Sequence, residues 1–425
     1  MKKVLLAAML FTGCIVIAQG PNLQKDYSAI ENKVIEWRRD IHQNPELSNR
    51  EFKTAEKIAK HLESLGIEVQ TGVAHTGVVG LLKGKQSGKV VALRADIDAL
   101  PVLERNDLPF KSTVKGEYNG EEVPVMHACG HDTHIAILMG VAEILSKNTD
   151  KIRGTVKFIF QPAEEGAPPG EEGGAELMVK EGVLENPKVD AIFGLHINSQ
   201  TPVGTIKYKP RGIMAAVNSF KIKVKGKQSH GSQPWSGIDP ILISAKIIDG
   251  LQTIISREAE LTNEAAVITV GKISSGVRSN IIPESAEMLG TLRTLDNDMR
   301  EMIQRRMKEM VATIAKAYGG EAVLEFNLGY PITYNDPKLV EQMLPSIQRV
   351  ASTENVELMK AITGAEDFSF YQEKVPGFFF FLGGMAPGTT ESFPHHTPDF
   401  RIDDSGLILG VKTLTEMSLD YLNSK

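Results

Sequence analysis

The chain has 425 residues, with 47 Lys plus Arg against 53 Asp plus Glu, a formal net charge of −6. Hydrophobic residues make up 42 % and charged residues 24 %, a globular balance that argues against disorder and collagen-like repeats. A mildly acidic chain without a basic stripe argues against nucleic acid as a partner. Two cysteines cannot build a disulfide framework.

At this length two or three domains are expected. Residues 1–18 read as a secretory signal peptide: Lys2 and Lys3 precede an apolar run, with a cut expected ahead of Gln19. Export to the periplasm or outside follows, and no segment reads as transmembrane. Lipid attachment at Cys14 is the less favoured alternative, because apolar residues continue past it.

Residues 27–43 carry Ile30, Val34, Trp37 and Ile41 at helical spacing. Ser48 and Glu51 predict a capping box for a second helix with Phe52, Ile58 and Leu62 on its apolar face, ended by Gly66. Strands are predicted at 76–82, 89–95, 155–160 and 189–195, and a helix at 133–147. That alternation predicts an α/β layer with a mostly parallel sheet. The order over 219–326 is βαββαβ, the ferredoxin-like order. A helix at 338–352, a Phe-rich strand at 377–382 and a closing helix at 407–422 follow. The expected division is a catalytic domain from 19–209 and 328–425, interrupted by an inserted domain at 210–327.

Residues 126–134, MHACGHDTH, place thiolate, imidazole and carboxylate ligand types directly before an apolar helix. The positive end of that helix is expected to favour a deprotonated Cys129. In QPAEEG, residues 161–166, two adjacent glutamates follow a strand. A sharp turn there lets one ligate a metal and the other act as general base. Asp96 and Asp98 share one strand face, from which one can orient a metal-bound histidine. His196 follows a buried strand, and of His395 and His396 only one is expected to be a ligand. In an open parallel sheet, strand C-termini and helix N-termini meet along one edge. Cys129, His131, Glu165, His196 and His396 then make five ligands. That is too many for one tetrahedral site and enough for two ions with a shared ligand.

With these motifs the chain resembles the co-catalytic metal amidohydrolases and carboxypeptidases, a family that includes aminoacylases, hippurate hydrolases and plant auxin–amino acid conjugate hydrolases. The matching segments also include LRADIDALP (93–101), GKQSHGSQPWSGIDP (226–240), VRSNIIP (277–283), GAEDFSFY (364–371) and HHTPDF (395–400), in family order. The resemblance implies a zinc-peptidase-like catalytic domain with a lid and dimerisation domain inserted in it. It implies Cys129 bridging two divalent ions, Mn²⁺ or Zn²⁺, with His131, Glu165, His196 and His396 completing the set. Glu164 is implied as general base and Asp98 as the supporting carboxylate. His230 and Asn280 are implied at the substrate, His396 over His395 as the ligand, and a homodimer as the assembly. The implied reaction is hydrolysis of a small amide substrate, an N-acyl amino acid. The alternatives are a dipeptidase or carboxypeptidase on short peptides, a non-catalytic periplasmic binding protein, and a redox role for Cys129. One departure stands out: the loop 166–174, GAPPGEEGG, is longer and more acidic than the branch leads one to expect, and Glu171 and Glu172 are candidates to edge the substrate cleft.

Overall fold

The longest apolar runs become the central strands of one sheet, because a strand covered on both faces must be apolar on both. Residues 23–424 are described, in a computed structural model; the expected signal peptide, its cut ahead of Gln19 and Cys14 lie outside them. Helices α1 (Gln24–Gln43) and α2 (Phe52–Ser64) lead into β1 (Glu68–Val73), β2 (Gly77–Lys83) and β3 (Gln86–Asp96). Then come α3 (His131–Lys147), β4 (Arg153–Gln161), β5 (Ala191–Pro202) and β6 (Ile206–Tyr208). The inserted block holds β7 (Ala216–Lys225), α4 (Pro240–Thr253), β8 (Ala266–Ser275), β9 (Ser285–Thr294), α5 (Asn297–Ala317) and β10 (Glu321–Leu328). The chain closes with α6 (Pro337–Ala351), β11 (Val356–Leu358), β12 (Gly377–Met385) and α7 (Leu407–Asn423).

The large sheet has the order β1-β2-β4-β3-β5-β12-β6-β11. Its four central strands, β4, β3, β5 and β12, run parallel. Antiparallel pairs extend it on both sides. One face packs against α1, α3 and α7, with Val34, Ile137, Phe193 and Val411 in its core. The other packs Met178, Phe368, Tyr371 and Phe379. Register places Asp96 of β3 beside Gln161 of β4, and His196 of β5 beside Phe381 of β12. The carboxyl ends of the central strands therefore bring their chemistry to one edge.

The inserted block forms its own sheet in the order β8-β9-β7-β10, antiparallel throughout, the expected ferredoxin-like arrangement. It buries a separate core of Phe220, Ile222, Ile247, Met288, Ile303 and Met307. Asp239 caps α4 by accepting from the Ile241 and Leu242 amides, and Pro240 occupies the first turn. α4 ends its α-helical part at Thr253 and continues as a π turn over Ile254–Glu258.

Three local expectations fail. The Ser48–Glu51 capping box does not form: α2 begins after Glu51 with no side-chain cap. Both side chains have tertiary partners instead. Ser48 Oγ donates to Asp98, and buried Glu51 accepts from Thr76 and the Ala163 amide. Phe52 is 62 % exposed rather than on the buried face. The strand expected to stop at residue 195 runs on to Pro202, because its pairing with β12 continues, so His196 lies within a strand. Among the described residues, no helix is long and apolar enough to cross a membrane.

Candidate metal centre

A sharp turn delivers Cys129. Gly130 precedes α3 with φ +94°, and a Cβ there would lie 2.4 Å from Ile197, so only glycine fits. Cys129 Sγ then meets His196 Nε2 at 3.4 Å and His396 Nε2 at 3.3 Å. His131, at the start of α3, turns Nδ1 to the Asp98 carbonyl at 2.9 Å and the Asp98 carboxylate at 3.2 Å. His196 Nδ1 donates to the Ile197 carbonyl at 2.6 Å. His131 and His196 are thus each oriented through Nδ1, and the other nitrogen of each faces the centre. Two groups result, Cys129–His131–His196 and Cys129–Glu165–His396, with ligand atoms within 4.8 Å of one another in each. Cys129 is common to both.

The residues fit a pair of cations. His131 Nε2 is buried and has no hydrogen-bond partner, and Glu165 Oε1 accepts no well-aligned hydrogen bond. Buried polar atoms are nearly always satisfied, and these two aim at the same centre as the thiol. Asp98 takes a supporting position: its carboxylate accepts from Ser48 and from the Glu165 amide as well as from His131. Glu164 is buried, and its nearest basic group is His131 Nε2 at 3.9 Å.

Charge explains why a cation belongs here. Glu164, Glu366 and Asp367 gather within 4.8 Å, all buried. Arg94, fully buried, answers them with 2.6 Å to Asp96, 2.9 Å to Glu366 and 2.7 Å to Asp367. Carboxylates still outnumber the guanidinium. Burial, together with Glu366, Glu165 and Asp367, holds the Glu164 carboxyl well above the usual range. Burial alone would lower His131, but Asp96, Asp98 and Glu165 outweigh it and push it up to about 10. Burial also raises the Cys129 thiol, and Glu165, Glu164 and Asp96 add to it. Burial and the carboxylates around the sulfur thus oppose the thiolate that the helix start favours.

The five ligand candidates, Glu164 and Asp98 come together. His230 and Asn280 do not join them. They lie exposed on the inserted domain, where Ser229–His230 pairs with Ile281–Ile282 and the Asn280 carbonyl accepts from the Gly231 amide. His395 has other partners for both nitrogens: its Nδ1 donates to the Cys129 carbonyl at 3.1 Å and lies 3.7 Å from the Cys129 sulfur, and its Nε2 accepts from the Ser199 amide at 3.3 Å. Sequence reasoning gave no role to His134, Arg94, Glu366 or Asp367. His134 bonds Asp96 through Nδ1 and accepts the Ile197 amide through Nε2. Arg94 had one available signal, since it shares a strand face with Asp96 and Asp98.

Residues 92–420 match the model of peptidase family M20/M25/M40. Thermostable carboxypeptidase 2 of Saccharolobus solfataricus is 42 % identical over 94 % of this chain and 98 % of its own. The N-acetylcysteine deacetylase of Bacillus subtilis is 39 % identical over 93 % of this chain and 98 % of its own. Among solved structures, a dinuclear metal-binding M20 peptidase of Bacillus subtilis superposes with TM-score 0.78 at 36 % identity, covering 94 % of this chain and all of that one. Fold, metal-ligand geometry and similarity along nearly the whole chain agree: the protein belongs to peptidase family M20/M25/M40.

Proposed function

We propose that this M20 hydrolase cleaves the amide bond of N-acyl amino acids with two divalent cations, Mn²⁺ or Zn²⁺, held by Cys129, His131, Glu165, His196 and His396. The observation that carries the reading is the pair of ligand groups sharing Cys129. Thiolate, imidazole and carboxylate together suit either ion. When bound, such cations polarise the amide carbonyl and make water easier to deprotonate.

Glu164 takes the proton of the attacking water and returns it to the leaving nitrogen. Asp98 fixes the His131 ring, and Asp96 fixes His134 against the β5 backbone. His230 accepts the Ser232 amide at Nδ1, so its proton sits on Nε2. Once the inserted domain or a partner subunit brings it to the site, that N–H donates to the carbonyl oxygen as it gains charge, with Asn280 beside it. A binding protein has no use for a buried base such as Glu164, which disfavours the non-catalytic alternative.

A homodimer built on the inserted domain is part of this reading. Trp235 and Val277, 79 % and 95 % exposed, sit on the segments that carry His230 and Asn280. The division of the chain at 210 and 327 also belongs to it. So does export after removal of residues 1–18, with lipid attachment at Cys14 less favoured. A second reading, carboxypeptidase action on short peptides, is favoured by the 42 % identity to the Saccharolobus enzyme.

Elemental analysis of the purified mature protein, with rates on N-acyl amino acids and dipeptides, tests both. Two equivalents of metal and faster cleavage of N-acyl amino acids are expected, and Cys129→Ala is expected to lose metal and activity together. Full activity in metal-free protein would overturn the mechanism, and faster dipeptide cleavage would favour the second reading.

A further inference from the structure

The segment that carries Glu164 and Glu165 leaves β4 at Gln161 and turns at once. Ala163 makes the turn with φ +51°, a left-handed backbone that a residue other than glycine holds only when its surroundings impose it. Three polar groups of the turn are each held by a side chain from elsewhere in the chain. The Ala163 amide donates to Glu51 Oε1 at 3.0 Å, the Glu164 carbonyl accepts from Tyr330 Oη at 2.6 Å, and the Glu165 amide donates to Asp98 Oδ2 at 3.0 Å. Within the turn, the Gly166 amide donates to the Ala163 carbonyl at 3.3 Å.

Of these three holders, Asp98 also orients His131, and Tyr330 belongs to the connection with the inserted domain. Glu51 has neither duty. Its side chain makes no hydrogen bond or ion pair with a ligand candidate among the described residues. It is fully buried just before α2, where it caps nothing. Thr76 Oγ1, also buried, donates to its Oε2 at 2.5 Å and leaves Oε1 directed at the turn. Burying an acid costs free energy, and the Ala163 amide is what this one reaches. The turn is confined from the other side as well: a Cβ on Gly173 or Gly174 would come within 3.1 Å of an Ala163 atom.

Resting on the proposed roles of Glu164 and Glu165, we infer that Glu51 is a positioning residue for the metal centre: by holding the Ala163 amide it keeps residue 163 left-handed, and so presents Glu165 as ligand and Glu164 as base. Without that hold, residue 163 relaxes toward an ordinary backbone, and the two side chains that follow it are displaced together. Glycine at 163 would adopt the left-handed turn without help, which makes the link between positions 51 and 163 testable.

The test uses the mature protein and follows Mn²⁺ binding by titration alongside kcat on an N-acetyl amino acid. Glu51→Met removes the acceptor and keeps the bulk. It is expected to weaken Mn²⁺ binding and to lower kcat, each by roughly 10–100-fold, the usual cost of losing a group that orients a metal ligand. Glu51→Gln retains a carbonyl oxygen for the Ala163 amide and is expected to restore both. Adding Ala163→Gly to Glu51→Met is also expected to restore most of both, a rescue that a purely fold-stabilising role of Glu51 would not give. Wild-type binding and kcat in folded Glu51→Met, a Glu51→Gln variant as impaired as Glu51→Met, or no rescue by Ala163→Gly overturns the assignment and leaves the hydrolase reading standing. Circular dichroism reports folding. Should Glu51→Met not fold, Thr76→Val, which frees the second oxygen of Glu51, takes its place: weakened Mn²⁺ binding with the same rescue is expected, and unchanged binding overturns the assignment. A wild type that binds neither Mn²⁺ nor Zn²⁺ overturns the proposed function and this inference with it.

Discussion

Glu164 and Glu165 are chemically identical neighbours, and only their surroundings separate their work. Glu165 Oε1 lies 3.1 Å from His396 Nε2, with the ligand set. Glu164 sits among Glu366 and Asp367, where a carboxyl readily holds a proton. Glu164→Gln keeps the size of the side chain and removes the base. It is expected to lower kcat by roughly 10²–10⁴-fold, while elemental analysis finds both metal ions retained. Near-normal turnover in that variant would remove Glu164 from the mechanism. The ligand types were legible because MHACGHDTH and QPAEEG crowd them into short segments. Arg94 was not, since one of its acidic partners, Asp367, lies 273 residues away in sequence. A charge inside a strand is ordinarily read as solvated, and only the tertiary structure reveals it as the buried counter-charge of Asp96, Glu366 and Asp367.

At the scale of elements, α1 holds the start of α3. Arg38 Nε and His42 Nδ1, both on α1, each lie 2.8 Å from Asp132 in the first turn of α3, one residue after the ligand His131. All three side chains are fully buried. Asp132→Asn leaves Arg38 with less charge to face in a dry interior. It is expected to cost about 3–5 kcal/mol in urea unfolding. The pH dependence follows from the sign of the shift. Burial raises the Asp132 carboxyl, but Arg38 and His42 outweigh it and hold it below the usual carboxylate range. Its stabilisation is therefore present above the unfolded value of about 3.9 and is lost as pH falls through the depressed folded value. Wild type should destabilise more steeply with acid than Asp132→Asn, and parallel curves would show that the contact contributes nothing. Helical spacing made α1 legible in the sequence. The cap of α2 was misread because S-x-x-E is a local signal, and at Ser48 and Glu51 more distant partners won the same hydrogen bonds.

At the scale of the molecule, the inserted domain is a fold of its own on a two-strand stalk. Its order was legible because strand and helix periods alternate as βαββαβ, and its core shares no side chain with the catalytic core. The antiparallel flank of the large sheet was harder to read. Strand–helix alternation suggests parallel pairs, but β1 and β2 are joined by too few residues for a crossover. The stalk is zipped by hydrogen bonds between Val217 and the Gly329–Tyr330 segment, and Tyr330 Oη donates to the Glu164 carbonyl at 2.6 Å. The connection thus ends at Glu164, the residue proposed as base. Metal should stabilise the two bodies unequally, because every ligand candidate lies in the catalytic body and none in the inserted one. A cation that binds only the folded site, at a free concentration a thousandfold above Kd, adds about 4 kcal/mol to that body. Calorimetry of the mature protein is expected to resolve two transitions, of which a chelator lowers one and leaves the other in place. Adding back Mn²⁺ or Zn²⁺ should restore the first. One transition that moves as a whole would mean that the stalk couples the two cores into a single cooperative unit.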